Sequence, residues 1–101
     1  MNDETLEVVS TEEARLELEK LGPGWTVTVE GHLSRLQGMP NFSAGLKWVN
    51  QIGEVAEELN HHPDIYLSFK QVRLDLYSHK LEGLCQADFT LAHKIDQLDP
   101  H

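Results

Sequence analysis

The sequence predicts an α+β fold, in which a four-stranded antiparallel sheet carries helices packed on one face and the elements follow the order α-β-β-α-β-β-α. Three observations support this prediction, and two of them concern the periodicity of apolar residues. Apolar residues recur every three or four positions in three segments and every second position in two pairs of shorter segments. A third is that glycine or proline separates most of these segments. We find no repeat or linker, so we expect a single domain over residues 1–101.

The first helix is predicted to begin at Ser10. The run Ser10-Thr11-Glu12-Glu13 has the form of a capping box, in which Ser10 and Glu13 satisfy each other's backbone N–H groups. Its apolar stripe is expected at Ala14, Leu18 and Leu21. The run Gly22-Pro23-Gly24 then ends the helix.

Two strands are predicted next. Trp25, Val27 and Val29 alternate with threonines, which indicates a strand with one buried face. Gly31 marks the turn into a second strand, roughly His32 to Gly38. Apolar and polar residues share the same parity there, so we expect this strand to be partly exposed.

The long central helix is predicted to begin after Pro40-Asn41 and to end near Asn60 or His61, because Pro63 disfavours the helical conformation in the residue before it. Its apolar stripe comprises Phe42, Leu46, Val49, Ile52, Ala56 and Leu59. Further apolar residues lie off this stripe, namely Ala44, Trp48 and Val55. Because such surplus surface is usually covered by a partner, we expect a homodimer or homotetramer.

A second hairpin and a last helix complete the chain. The alternating residues of the two strands are Ile65, Leu67 and Phe69, then Val72, Leu74 and Leu76. Lys70-Gln71 is the predicted turn between them. Gly83 precedes the last helix, whose apolar residues are Leu91, Ala92, Ile95 and Leu98.

Composition restricts the classes of function. The formal charge of −9 argues against nucleic-acid binding, which needs a basic surface. No run is long and apolar enough for a membrane span, and Met1-Asn2-Asp3-Glu4 does not have the character of a signal peptide. With one cysteine the chain forms no intrachain disulfide, and we therefore expect a cytoplasmic protein.

Three of the six histidines fall in two short segments that flank the second hairpin, His61-His62-Pro63-Asp64 and Ser78-His79-Lys80. Glu57 lies one helical turn before His61, so a carboxylate and an imidazole can share a face. Imidazole exchanges protons near neutral pH. These segments therefore supply candidate acids, bases and orienting groups.

Two other interpretations of the histidines remain open. A histidine near a helix end can simply cap the last carbonyl groups. Glu57, His61 and His79 could instead supply three zinc ligands. Their spacing matches no common zinc pattern, and Cys85 has no second cysteine to join it. We therefore expect a site without metal.

Glu57, His61-His62-Pro63 and Ser78-His79 together resemble the pterin-4a-carbinolamine dehydratases. The resemblance runs from about Leu18 to Leu98 and includes Gly24-Trp25, Asn41-Phe42, Tyr66, Gly83-Leu84 and Asp88. It implies one dehydratase-like domain that converts a 4a-hydroxy-tetrahydropterin to the quinonoid dihydropterin, as a 4a-hydroxytetrahydrobiopterin dehydratase does. It also implies a hydro-lyase that needs no cofactor of its own. The reaction recycles the pterin of aromatic amino acid hydroxylases, which suggests a link to phenylalanine hydroxylase.

The resemblance also implies roles for individual residues. The substrate-contacting residues would be Asn60, His61, His62, Tyr77, Ser78, His79 and Lys80. His61 and His79 would transfer protons, because loss of hydroxide needs an acid and removal of the N5 proton needs a base. His62 would mainly hold the pterin, and Glu57 would orient a histidine.

Three positions depart from the family pattern. Cys85 stands where relatives usually have a serine or threonine that caps the last helix, so we expect a weaker cap. Gln37 and Met39 stand where relatives often carry aromatic residues.

Two alternative functions remain. One is a protein-binding module, because animal members of the family are also dimerisation cofactors of a transcription factor. The other is a pterin-binding relative in molybdenum-cofactor metabolism.

Overall fold

The computed structural model describes residues 7–100. Its helices are α1 (Thr11–Glu19), α2 (Phe42–Leu59) and α3 (Gln86–Asp96), and its strands are β1 (Trp25–Val27), β2 (Leu33–Gly38), β3 (Asp64–Ser68) and β4 (Gln71–Leu76). The four strands form one antiparallel sheet in the order β1-β2-β4-β3. The predicted fold class and element order are confirmed. No helix within the described range has both the length and the apolar content needed to cross a membrane.

The core lies between one face of the sheet and the helices. Every second residue of β4 is fully buried, as the alternation predicts: Val72, Leu74 and Leu76. The helical side of the core is formed by Trp48, Ile52, Phe89, Leu91 and Ile95. On the opposite face, Leu36 and Tyr66 flank Arg73 across the strands and are exposed. The helices therefore cover a single face.

Helix α1 begins with the predicted capping box. The Glu13 N–H donates to Oγ of Ser10 over 3.1 Å, and the Ser10 N–H donates to Oε1 of Glu13 over 2.9 Å. No residue of this helix is fully buried. Its predicted apolar stripe is partly buried against the core: Ala14 and Leu18, followed by Leu21.

The predicted stripe of α2 is confirmed at Ile52 and Ala56, and Val49 and Leu59 pack against the core, but the prediction is wrong for Phe42 and Leu46. Its buried residues are Gly45, Trp48, Ile52 and Ala56, whereas Phe42 and Leu46 are 45% and 44% exposed. Gly45 explains the rotation of the helix. A Cβ atom there would lie 2.9 Å from Cδ1 of Leu67, so the absence of a side chain lets the helix approach the sheet on this line. Trp48, expected to be surplus surface, is therefore part of the core, and Ala44 and Val55, also expected to be surplus, pack against it. The exposed apolar surface lies at Phe42 and Leu46 instead.

Both hairpins differ from the predictions at their turns. Val29 is fully exposed and Val27 is 41% exposed, because β1 ends at Val27 and the chain leaves the sheet there. In the second hairpin the two-residue turn is Phe69-Lys70, not Lys70-Gln71, since Gln71 already pairs with Ser68. Phe69 therefore lies in the turn and is exposed rather than on the buried face of β3.

The carboxylate of Asp96 fastens the end of α3 to the first hairpin. It accepts hydrogen bonds from the Gly22 N–H (2.7 Å), from Nε1 of Trp25 (2.8 Å) and from Nη1 of Arg35 (2.9 Å). Burial lowers the pKa of Arg35, and the neighbouring Asp96 charge opposes that shift. This polar cluster joins the C-terminal end of α3 to strands β1 and β2 of the sheet.

Candidate active site

The end of α2 directs the two adjacent histidines to different partners. Asn60 has a left-handed conformation (φ 53°), which asparagine tolerates better than most residues. The Asn60 N–H donates to the Glu57 carbonyl and the His61 N–H to the Ala56 carbonyl, which closes the helix as a Schellman motif. The helix thus ends where Pro63 predicts.

His61 contacts a buried carboxylate. Its Nε2 lies 2.6 Å from Oδ1 of Asp88, in the first turn of α3, and Asp88 is fully buried. Oδ2 of Asp88 accepts hydrogen bonds from Oγ of Ser78 and from the Cys85 N–H, each over 2.9 Å. One carboxylate therefore joins the end of α2, the segment after β4 and the start of α3.

Asp88 is the site residue whose role the sequence analysis missed. Its spacing from Cys85 is that of the third position in a capping box, where a carboxylate reaches back to the N-cap N–H. That spacing predicts one of its hydrogen bonds. The contact with His61, which lies 27 positions away in the chain, depends on the tertiary fold.

Ser78 and Cys85 pack against the carboxylate of Asp88 and contact each other. The Ser78 hydroxyl donates to Asp88, and Sγ of Cys85 lies 2.8 Å from the same hydroxyl oxygen, so the thiol can donate in turn. Both residues are buried. The hydroxyl of Ser78, expected to contact substrate, is thus engaged within the protein.

Glu57 pairs with His62 and not with His61. Oε2 of Glu57 lies 2.5 Å from Nε2 of His62, and both side chains are mostly exposed. Exposed ion pairs usually contribute less than about 1 kcal/mol to stability. The pair lines a groove of about 740 Å³ between α2 and β3, which Pro63 and Ile65 also line. Glu57 therefore contacts the second histidine of the pair at the rim of an open groove.

His79 belongs to a cluster of aromatic rings just after the end of β4. Its ring centroid lies 5.0 Å from that of Tyr77, edge to face, and its Nε2 lies 3.8 Å from Oδ2 of Asp64. His32, just before β2, places its ring centroid 4.3 Å from that of Tyr77. The Asp64 contact brings the His61-His62-Pro63-Asp64 and Ser78-His79-Lys80 segments together.

The three residues considered as zinc ligands face different partners. Glu57 contacts His62, His61 contacts Asp88, and His79 contacts Asp64. Within residues 7–100 no group of three or more histidine, cysteine or acidic side chains is arranged to hold a metal ion. The geometry instead offers two imidazoles, one anchored by a buried carboxylate and one exposed to solvent.

Known proteins resemble the chain along nearly its whole described length. The family model described as pterin 4 alpha carbinolamine dehydratase matches residues 7–98. The chain is 45% identical over 85 residues to the "Putative pterin-4-alpha-carbinolamine dehydratase" of Rubrobacter xylanophilus, covering 81% of this chain and 79% of that protein. It is 41% identical over 96 residues to the protein of the same name from Nitrosococcus oceani, covering 92% and 84%.

Two solved structures share the fold. A transcriptional coactivator/pterin dehydratase from Brucella melitensis superposes with a TM-score of 0.83 at 24% identity, over 88% of this chain and 95% of that one. A pterin dehydratase-like protein described as a RuBisCO assembly factor in the alpha-carboxysome superposes with a TM-score of 0.61 at 19% identity, over 72% and 86%. At these identities the likeness concerns the fold alone.

Substitutions in the two histidine–carboxylate pairs should lower the free energy of unfolding by different amounts. Asp88→Asn should lower the free energy of unfolding by about 2 to 4 kcal/mol, because it disturbs a fully buried hydrogen-bond network around a charge. Glu57→Gln, the matched change in the exposed pair, should cost less than about 1 kcal/mol. Urea unfolding followed by the fluorescence of buried Trp25 and Trp48 measures both. Equal losses in the two variants would contradict the structural role assigned to Asp88.

Proposed function

The chain belongs to the pterin-4-alpha-carbinolamine dehydratase family, and from this premise we propose that it dehydrates a 4a-hydroxy-tetrahydropterin to the quinonoid dihydropterin. The observation that carries the proposal is the contact of His61 with the buried Asp88, which also binds Ser78, the residue next to His79. With His61 held by Asp88 and His79 following Ser78, the two imidazoles would supply the acid and the base that the reaction needs.

The reaction is an elimination of water in which one proton is supplied to the substrate and one is removed from it. The bond between C4a and its hydroxyl oxygen breaks, and an acid supplies a proton so that the oxygen leaves as water. A base removes the N5 proton, and the electrons of the N5–H bond form the C4a=N5 double bond. His61 and His79 are the two proton-transfer groups in our proposal.

Asp88 would fix the tautomer of His61. A carboxylate accepts hydrogen bonds, so its contact with Nε2 favours the proton on that nitrogen. The other ring nitrogen, Nδ1, is then the atom that exchanges a proton with substrate.

The remaining site residues would bind the pterin. His62, held by Glu57, lies beside the open groove and would hold the ring system. Asn60, Tyr77 and Lys80 would add contacts from the two segments. Ser78 would act chiefly through Asp88, because its hydroxyl is already engaged.

The proposal also covers the metabolic role of the reaction, the cellular location and the domain organisation. After a separate two-electron reduction to the tetrahydropterin, the product would return to an aromatic amino acid hydroxylase, with phenylalanine hydroxylase as the expected link. A single cysteine suits the reducing cytoplasm. We also infer that residues 1–101 form one domain, because buried apolar residues of the sheet, α2 and α3 belong to one core cluster.

A protein-binding role is the second candidate, and the exposed side chains Phe42 and Leu46 on α2 favour it. The coactivator and assembly-factor names belong to the two structural relatives. A pterin-binding role in molybdenum-cofactor metabolism would use the same site. An assay with freshly generated 4a-hydroxy-tetrahydropterin separates the dehydratase from both, because only the dehydratase accelerates the loss of water.

Substitution of the two proton-transfer histidines should reduce turnover strongly. His61→Ala and His79→Ala should each lower kcat by about 10²- to 10⁴-fold, the usual effect of losing a positioned acid or base. His93→Gln, in the last turn of α3, is the control and should leave kcat unchanged. Folded His61 and His79 variants that each keep more than about a tenth of wild-type activity would refute the assignment.

Removal of divalent metal should not affect the reaction. Dehydratase activity after dialysis against a chelator should equal that of untreated protein, because imidazoles carry both proton transfers in this mechanism. Activity that falls on dialysis and returns with added zinc would contradict the expected metal-free site.

The chain should form a homodimer or homotetramer. Phe42 and Leu46 expose apolar surface on α2, and β3 is an edge strand of the sheet. Light scattering at micromolar concentration should give a multiple of the 11.5 kDa chain mass, and Leu46→Glu should shift it toward the monomer. Leu36→Glu changes an exposed leucine on the open sheet face and should have no effect. A wild-type monomer would overturn the prediction.

A further inference from the structure

Three aromatic rings meet beside the proposed site, and one of them comes from outside the segments that carry the family motif. His32 lies against Tyr77 with ring centroids 4.3 Å apart and an interplanar angle of 34°. It is also edge-on to His79, with centroids 6.5 Å apart and an angle of 76°. Tyr77 is in turn edge-on to His79. Tyr77 therefore contacts both imidazoles, and each of them lies closer to Tyr77 than to the other.

The backbone of His32 is held in place by the turn between β1 and β2. The His32 N–H donates to Oγ1 of Thr28, and the Thr28 N–H donates to the His32 carbonyl. Gly31 precedes it with a φ of 88°, a conformation that suits glycine. A ring on so constrained a backbone can act as a fixed support for its neighbour.

His79 needs such a support. Its side chain is 71% exposed, and its contact with Asp64, at 3.8 Å, is that of a loose surface ion pair. The segment that follows it is a turn in which Glu82 has a φ of 55°. The ring contacts with Tyr77 and His32 are thus the other restraints that the described structure places on this imidazole.

We propose that His32 is a positioning residue of the site: its ring supports Tyr77, and Tyr77 in turn holds the imidazole of His79 in the orientation needed for proton transfer. The kinetic part of this inference rests on the proposed dehydratase function. Aromatic contacts of this kind contribute beyond the area they bury, and small displacements of a reacting group reduce rates strongly.

Two substitutions of His32 test whether its aromatic ring is what supports Tyr77. His32→Ala removes the ring and should lower kcat by roughly 10- to 100-fold with KM within about threefold of wild type, because the proton-transfer group is misplaced while binding is retained. His32→Phe keeps an aromatic ring and should restore kcat to within about threefold of wild type. Phe69→Ala, which removes an exposed ring at the opposite end of β4, is the control and should change neither parameter.

A second measurement does not depend on activity. Proton NMR should show a nuclear Overhauser effect between the rings of Tyr77 and His79 in the full-length wild type and in His32→Phe, and its loss in His32→Ala. If His32→Ala does not fold, His32→Gln serves in its place. Wild type without dehydratase activity would refute the proposed function, while the NMR comparison would still decide the role of His32.

Three results would overturn the inference. They are a wild-type kcat in folded His32→Ala, a His32→Phe variant as slow as His32→Ala, and an unchanged Tyr77–His79 ring contact when the His32 ring is absent.

Discussion

The site depends on one buried carboxylate. Asp88 is fully enclosed, and a charge in that position is tolerated only when hydrogen bonds compensate for the lost water. Its partners come from the end of α2, from the residue after Tyr77 and from the N-cap of its own helix. Satisfying the charge therefore forces these three segments together. The placement of His61 follows from this electrostatic requirement.

The same carboxylate explains why Cys85 is tolerated at the start of α3. The N-cap side chain normally satisfies an N–H group of the first turn, a role for which a thiol is a poor substitute. Here Asp88 accepts the N-cap N–H, and the thiol lies against the Ser78 hydroxyl instead. The residue is thus part of the support for the site as well as the start of the helix.

The elements could be predicted from local pattern, whereas several contacts could not. The Ser10 capping box, the alternation at Val72, Leu74 and Leu76 and the end of α2 before Pro63 each depend on neighbours in the chain, and each is confirmed. The prediction failed at Phe42 and Leu46 of α2 because a glycine, which carries no hydrophobic signal, sets the contact with the sheet. The partner of His61 was missed for a related reason, since the competing carboxylate Glu57 is near in sequence and Asp88 is near only in space.

Helix α3 is tied at both ends by aspartates, with Asp88 bound to the histidine segment and Asp96 bound to Gly22, Trp25 and Arg35. It also follows the histidine segments and the sheet in chain order. While the ribosome still holds the C-terminal part of the chain, the histidines can be exposed but lack the carboxylate that fixes them. Assembly of the site is therefore coupled to synthesis of α3, and a nascent fragment ending before residue 86 would have the histidine motif without its organising charge.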